Sequence, residues 1–132
     1  MTVENTYLIF KEDFKHRNWV DWIMSHIMLG PPPFRYKGAL TFTPSGFRFK
    51  GYDMFTKDHS EFEINKRDIT QLYHGYDNTF SRLQVKGNLS FAPIRVRLNT
   101  DNEETDLYVV SEFNGMTSAN TELFEEMKIW LS

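Results

Sequence analysis

The hydrophobic positions of this chain change period twice. Between residues 12 and 28 they follow a helical period. Val20, Ile23, Met24, Ile27 and Met28 fall at offsets 0, 3, 4, 7 and 8, which stacks them on one helix face, and Trp19 and Trp22 widen that face. Gly30 and then Pro31-Pro32-Pro33 end the segment, because proline lacks the amide donor and disfavours helix in the residue before it. The spacing predicts a helix over 12–28.

From residue 38 the period becomes two. Leu40 and Phe42 alternate with Thr41 and Thr43, and Phe47 and Phe49 alternate with Arg48 and Lys50. Pro44-Ser45-Gly46 between them carries tight-turn chemistry, so GALTFTPSGFRFKG reads as a β-hairpin. Further strands are expected at Phe62 and Ile64, over 69–76, at Ile94, Val96 and Leu98, and over 106–110. The last is apolar on both faces at Leu107, Tyr108, Val109 and Val110, as expected where both sides of a sheet are covered. A weaker strand pattern runs over 80–86. Residues 1–6 and 101–105 are expected to be the least ordered, and Tyr7-Leu8-Ile9-Phe10 is only a four-residue apolar run.

The period returns to helical at the end of the chain. Leu123, Phe124, Met127, Trp130 and Leu131 fall at offsets 0, 1, 4, 7 and 8. Thr117 or Ser118 suits an N-cap. Glu122 in the first turn and Lys128 in the last match the helix dipole. Burying five such side chains is worth on the order of 10 kcal/mol before entropy, at ~1.5–3 kcal/mol each. A domain's net stability is only about 5–15 kcal/mol. Residues 118–132 are therefore expected to be required for stable folding.

A length of 132 residues fits one domain. Aromatics make up 16% of the chain, with 12 Phe, and their large buried areas let a thin sheet build a substantial core. The net charge of −3 argues against a nucleic-acid partner, whose phosphates call for a basic face. The chain has no cysteine, which excludes disulfides, thiolate nucleophiles and Cys-ligated zinc, and fits a reducing compartment. No basic start with a secretory apolar core is visible, and no run approaches the ~20 apolar residues of a membrane-spanning helix. The expected setting is cytoplasmic, without a transmembrane segment.

The order of these elements carries a resemblance. A hairpin of the form G-x-L-x-x-T-x-x-G-x-x-F appears at Gly38, Leu40, Thr43, Gly46 and Phe49. After it come Arg67-Asp68-Ile69, then Ile94-Arg95-Val96, then a closing helix with Phe124, Met127 and Trp130. Over residues 36–132 this resembles the pleckstrin-homology-like superfold, nearest to its GRAM and bacterial branches. The resemblance implies a mainly β, α+β architecture: a partly open antiparallel barrel of about six or seven strands, plugged by the C-terminal helix. Residues 1–35 would then be an added N-terminal helical extension, within one domain overall. Members of this superfold are mostly non-catalytic binding modules for phosphoinositides, peptides or partner domains.

Candidate sites follow at two places. Lys37, Arg48, Lys50, Arg95 and Arg97 alternate with apolar neighbours and form a candidate basic stripe for an acidic ligand. The competing reading is cross-strand pairing with Glu61 and Glu63, at about 0.2–1 kcal/mol per pair. The resemblance places lipid-binding residues on the first hairpin, and Lys37 with Arg48-Phe49-Lys50 is the nearest match. It departs at the third position, which is Lys, and in the short turn Pro44-Ser45-Gly46. Trp19, Trp22, Ile23 and Ile27 are a candidate partner surface, or else core contacts. His16, His26, His59 and His74 lack metal-ligand spacing, and no catalytic or nucleotide-binding motif occurs, so neither cofactor nor metal is expected.

The leading expectation is a binding module whose partner is a protein or a second copy, with acidic lipid headgroups second. The alternative from another class is a small enzyme or ligand carrier of the nuclear-transport-factor-2-like cone fold. It would hold an open aromatic pocket containing His74 or Asp53.

Overall fold

Among the described residues the two-residue period becomes seven antiparallel strands in one sheet. The computed structural model describes residues 1–16, 34–80, 92–112 and 118–132. The strands are β1 (Thr2–Phe10), β2 (Tyr36–Thr43), β3 (Gly46–Asp53), β4 (Asp58–Asn65), β5 (Ile69–His74), β6 (Ile94–Thr100) and β7 (Glu103–Val110). A helix, α1 (Asn120–Leu131), follows them, and 3₁₀ turns lie at Lys11–His16 and Lys66–Asp68. The strand order is β4-β3-β2-β1-β7-β6-β5.

That order forces the sheet to curl. A flat sheet of this width, at ~4.8 Å per strand, would set its edges about 29 Å apart. Yet β4 and β5 are the two edges, and only the turn Lys66–Asp68 joins them. The steps from Asn65 to Ile69 can span no more than about 14 Å. The turn touches both β3 and β6, and the Lys66 amide donates to the Ser45 carbonyl at 2.9 Å. The edges approach at this corner without hydrogen-bonding to each other, so the sheet is not closed into a barrel.

The hairpin forms as its pattern predicts. Leu40 lies opposite Phe49 and Phe42 opposite Phe47, and all four are buried on the concave face. Ile94, Val96, Leu98, Leu107, Val109, Val3 and Leu8 join them, and Leu123 and Met127 of α1 seal the layer. A second cluster lies on the other face of β1 and β7. There Tyr7, Ile9, Tyr108 and Val110 pack with Phe80, ringed by Phe14, Phe34 and Tyr76. The continuous apolar run of β7 is thus covered on both sides.

Several expectations need correction. The first ten residues are not part of an extension: β1 lies in the middle of the sheet, paired with β2 on one side and β7 on the other. The alternation that would reveal it is missing because Leu8 faces one cluster and Ile9 the other. A bulge between Val3 and Thr6 breaks the pattern further, with Asn5 at a left-handed φ of 51°. The expected helix over 12–28 is not seen where it is described, since Lys11–His16 is a 3₁₀ turn, and 17–33 lie outside the described residues. Of the weak strand over 80–86, only Phe80 is described, and it is buried outside any strand.

Residues 101–105 form a tight turn and the start of β7. Asp101 and Asn102 take positive φ values of 52° and 65°, the backbone that a two-residue hairpin loop requires between β6 and β7. The apolar face of α1 is in the expected place, with burial graded along it. Leu123 and Met127 are buried, while Phe124, Trp130 and Leu131 are half-buried. The N-cap is Ala119, one residue past Ser118, whose hydroxyl accepts from the Asn120 amide at 3.4 Å.

Candidate functional site

The five candidate cations stand on three strands, and the three arginines among them each have a carboxylate partner. Lys37 stands on β2, Arg48 and Lys50 on β3, and Arg95 and Arg97 on β6. Three strands, β2, β1 and β7, separate β3 from β6. Each arginine has a carboxylate. Arg48 lies directly opposite Glu63 and donates to it through Nε at 2.9 Å. Arg97 faces Asp106 across the β6–β7 ladder, with Nε at 2.9 Å and a terminal nitrogen at 3.3 Å. Arg95 donates to Asp77 at 2.9 Å and to the Gln71 side chain at 2.9 Å, and its guanidinium lies 4.8 Å from the Tyr73 ring centre. Of the competing reading, pairing with Glu61 and Glu63, the Arg48–Glu63 pair is present, while Arg97 pairs with Asp106 instead.

The two lysines differ. Among the described residues neither Lys37 nor Lys50 makes an ion pair, though Lys50 lies in register with Glu61. Lys37 lies 5.3 Å from the Tyr7 ring centre. Both line a shallow groove with Asn5, Ala39 and Tyr52, and Glu4 stands at its side. Beside it Tyr52 stacks on His59 with ring centres 4.5 Å apart. Trp19, Trp22, Ile23 and Ile27 lie outside the described residues.

Among the described residues, apolar side chains pack the concave side, Phe47, Phe49, Leu40, Val96 and Met127 among them. His74 stacks on Phe124 of α1 at 5.4 Å. Asp53 is held by Arg35, which donates through Nε at 3.1 Å and a terminal nitrogen at 2.9 Å. Burial favours the neutral acid at Asp53, but the Arg35 fork and the amides of Phe55 and Thr56 outweigh it and hold the carboxyl below its ordinary value. Among the described residues no three His, Asp or Glu side chains converge as a metal site, and no helix is long and apolar enough to cross a membrane.

A polar cluster that the sequence pattern does not reveal sits on the second core. The Asp77 carboxylate accepts from Tyr108 at 2.8 Å, from Arg95 at 2.9 Å, and from the amides of Thr79 and Phe80 at 2.9 and 2.8 Å. Burial pushes against the Asp77 charge, and these four donors more than offset it, so its carboxyl is held low. Burial, and after it the hydrogen bond to Asp77, push the Tyr108 phenol well above its ordinary value. Every acceptor position is occupied from within the fold, so the cluster braces the β5–β6 end of the sheet.

The sheet's two edges have unlike chemistry. β4 carries exposed Asp58, Glu61 and Glu63. β5 carries no charged side chain, and its Gln71 and Tyr73 are exposed. Acidic side chains on an edge discourage pairing with another strand, and an uncharged edge leaves its backbone groups open to it. No family model matches this chain, and comparison with curated proteins finds no match.

Proposed function

We propose that this chain is a non-catalytic binding module of the pleckstrin-homology-like kind, and that its partner is a protein. The observation that carries the reading is a concave face packed with core side chains beside an uncharged β5 that has no second strand paired to it among the described residues. The cone-fold alternative would place its cavity on the concave face, where the described core side chains meet α1. The superfold reading is supported by two meanders, β1 to β4 and β5 to β7, joined through the β1–β7 pair and closed by a terminal helix. Analytical ultracentrifugation of the chain across a wide concentration range, combined with chemical crosslinking, tests the partner class. Concentration-dependent association with crosslinks at the sheet edge supports it. A monomer without any crosslink at every concentration argues against self-association.

Acidic lipid headgroups are the second reading, favoured by one observation: Lys37 and Lys50 share a groove without ion-pair partners among the described residues. Flotation with vesicles containing acidic phospholipid tests it. Salt-sensitive binding lost in the Lys37→Glu, Lys50→Glu double variant places lipid first. Absence of flotation at low salt removes it.

A further inference from the structure

We propose that the flank of α1 beside the start of β1 is a docking groove for an extended segment of a partner protein, one that carries two basic side chains and then a large apolar one on alternate residues. The inference rests on the protein-partner reading and names a surface and an occupant for it. Two shallow grooves meet on this flank and share Met1 and Glu126. The apolar one, of about 470 Å³, is lined by Phe42, Pro44, Ile129 and Trp130. The acidic one is flanked by Glu112 and Glu122. The flank is open to solvent. Ile129 is 76% exposed and Met1 50%, and Pro44 and all three glutamates are exposed.

The chemistry of the occupant follows from two features that the fold does not use. Ile129 leaves most of its apolar surface in water on a helix that buries Leu123 and Met127. Glu122 and Glu126 stand four residues apart on the same face of α1, where like charges destabilise a helix. Among the described residues none of Glu112, Glu122 and Glu126 makes an ion pair, with the Met1 amino group or with any lysine or arginine. Lys128 of the same helix pairs instead with Glu125 at 3.1 Å, and Lys66 lies 5.3 Å from the centre of the Trp130 ring. Charge complementarity therefore calls for cations from another chain. The spacing sets their arrangement. A rise of ~1.5 Å per residue puts Glu122 and Glu126 about 6 Å apart along α1, with Trp130 about 6 Å further on. An extended chain repeats on one side every ~6.7 Å, so basic side chains on alternate residues match the two carboxylates, and the next apolar one reaches Ile129, Trp130 and Pro44. About five residues suffice in extended form, whereas a helix would need about nine and is marginal at that length. Exposed ion pairs hold weakly, so the complex is salt-sensitive.

Titrating the isotope-labelled full chain with the peptide Gly-Arg-Thr-Arg-Thr-Leu-Gly tests the groove by NMR. At low salt the shifts should concentrate at the amides of Glu122, Glu126 and Ile129 and at the Trp130 indole, and should shrink as salt rises. The Glu122→Gln, Glu126→Gln double variant should weaken binding on the order of tenfold. Ile129→Ser should weaken it severalfold, and all three positions are exposed, so these variants fold. An Asp58→Asn, Glu61→Gln variant removes the same charge from exposed positions on β4 and should bind as the unaltered chain does, which separates the groove from the general attraction of a chain of net charge −3. The proposal is overturned by an absence of shifts at millimolar peptide, by shifts centred on another surface, or by unchanged binding in the Glu122, Glu126 variant. Equal binding by a peptide with serine in place of leucine overturns it too, because the carboxylates would then take any cation. In each case the protein-partner reading stands or falls separately, on the ultracentrifugation and crosslinking.

Discussion

Arg35 and Asp53 form a forked pair, with Nε and a terminal nitrogen of the guanidinium both donating to the carboxylate. The other terminal nitrogen of Arg35 donates to Asp13 at 2.9 Å. Asp13 in turn accepts from the Phe10 amide, and Asp53 accepts from the Phe55 amide at 2.9 Å. One side chain thus fastens the end of β1, the entry to β2 and the β3–β4 turn. Removing it leaves two buried carboxylates beside each other. We expect Arg35→Met to cost about 2–4 kcal/mol, below the range for a fully buried pair because Arg35 is partly exposed. Arg35→Lys should recover only part, since an ammonium cannot reproduce the fork. Urea unfolding midpoints of the three proteins check the order.

The same carboxylate fixes a direction with pH. Asp53 and Asp77 are both held below their ordinary value of 3.8 in the folded state. The unfolded chain therefore takes up these protons first as pH falls. Their contribution is fully present above the unfolded value and is lost as pH drops through the folded one. Stability should stay level from neutral pH down to about pH 4 with respect to these two groups, then decline. Asp53→Asn should be less stable at neutral pH and should decline less steeply below pH 4. Equal slopes for the two proteins below pH 4 would contradict the assignment.

Asn120 joins the helix to the sheet. Its Oδ1 accepts from the Ser111 amide at 2.8 Å and the Ser111 hydroxyl at 2.9 Å, while Nδ2 donates to the carbonyls of Ala92 at 2.8 Å and Val109 at 3.0 Å. The amide is buried and satisfied on both sides, so either partial replacement strands buried groups. Asn120→Ala should cost about 2–4 kcal/mol. Asn120→Asp should cost more, because a carboxylate then faces two carbonyl oxygens. Thermal midpoints falling in the order Asn, Ala, Asp would bear this out.

Legibility in the sequence tracks how local the cause is. The β2–β3 hairpin is readable because its alternation and its turn lie within one stretch, and Arg48 with Glu63 because their strands are adjacent in the chain. β1 is hidden because both of its faces are covered and because Asn5 interrupts it, so it reads as four stray apolar residues. The relation of the candidate cations is not legible for a topological reason: side-chain alternation gives the face of Arg48 and of Arg97, but the order of their strands is fixed only by β1 entering the middle of the sheet. The Asp77 cluster joins residues 77, 95 and 108 from three segments, and no spacing rule links them.

At the β6–β7 turn the prediction concerns backbone alone. Asn102 has a φ of 65°, which asparagine tolerates and most side chains resist. Asn102→Val should destabilise by about 1–2 kcal/mol, and Asn102→Gly should match or exceed the unaltered protein. Guanidinium unfolding midpoints of the pair decide it. If valine is neutral, the turn is not the constraint that its dihedral angles indicate.

The closing helix offers the sharpest contrast, because two neighbouring side chains on it meet opposite surroundings. Met127 is fully buried against the concave core, and Ile129, two residues on, is 76% exposed. Met127→Ala removes buried apolar volume from the concave core, and should cost about 2–5 kcal/mol. Ile129→Ala should stay within about 0.5 kcal/mol of the unaltered protein. Trp130 gives a third point, since it packs on Phe42 at 5.1 Å and its indole donates to the Thr43 carbonyl at 2.6 Å while one side stays open. Its replacement should fall between the other two. Deleting residues 118–132 removes all three contacts together with the Asn120 junction, and should abolish the cooperative melt. A truncated chain melting near the full-length midpoint would mean that the sheet holds its concave face without the helix, and the graded series would then have another cause.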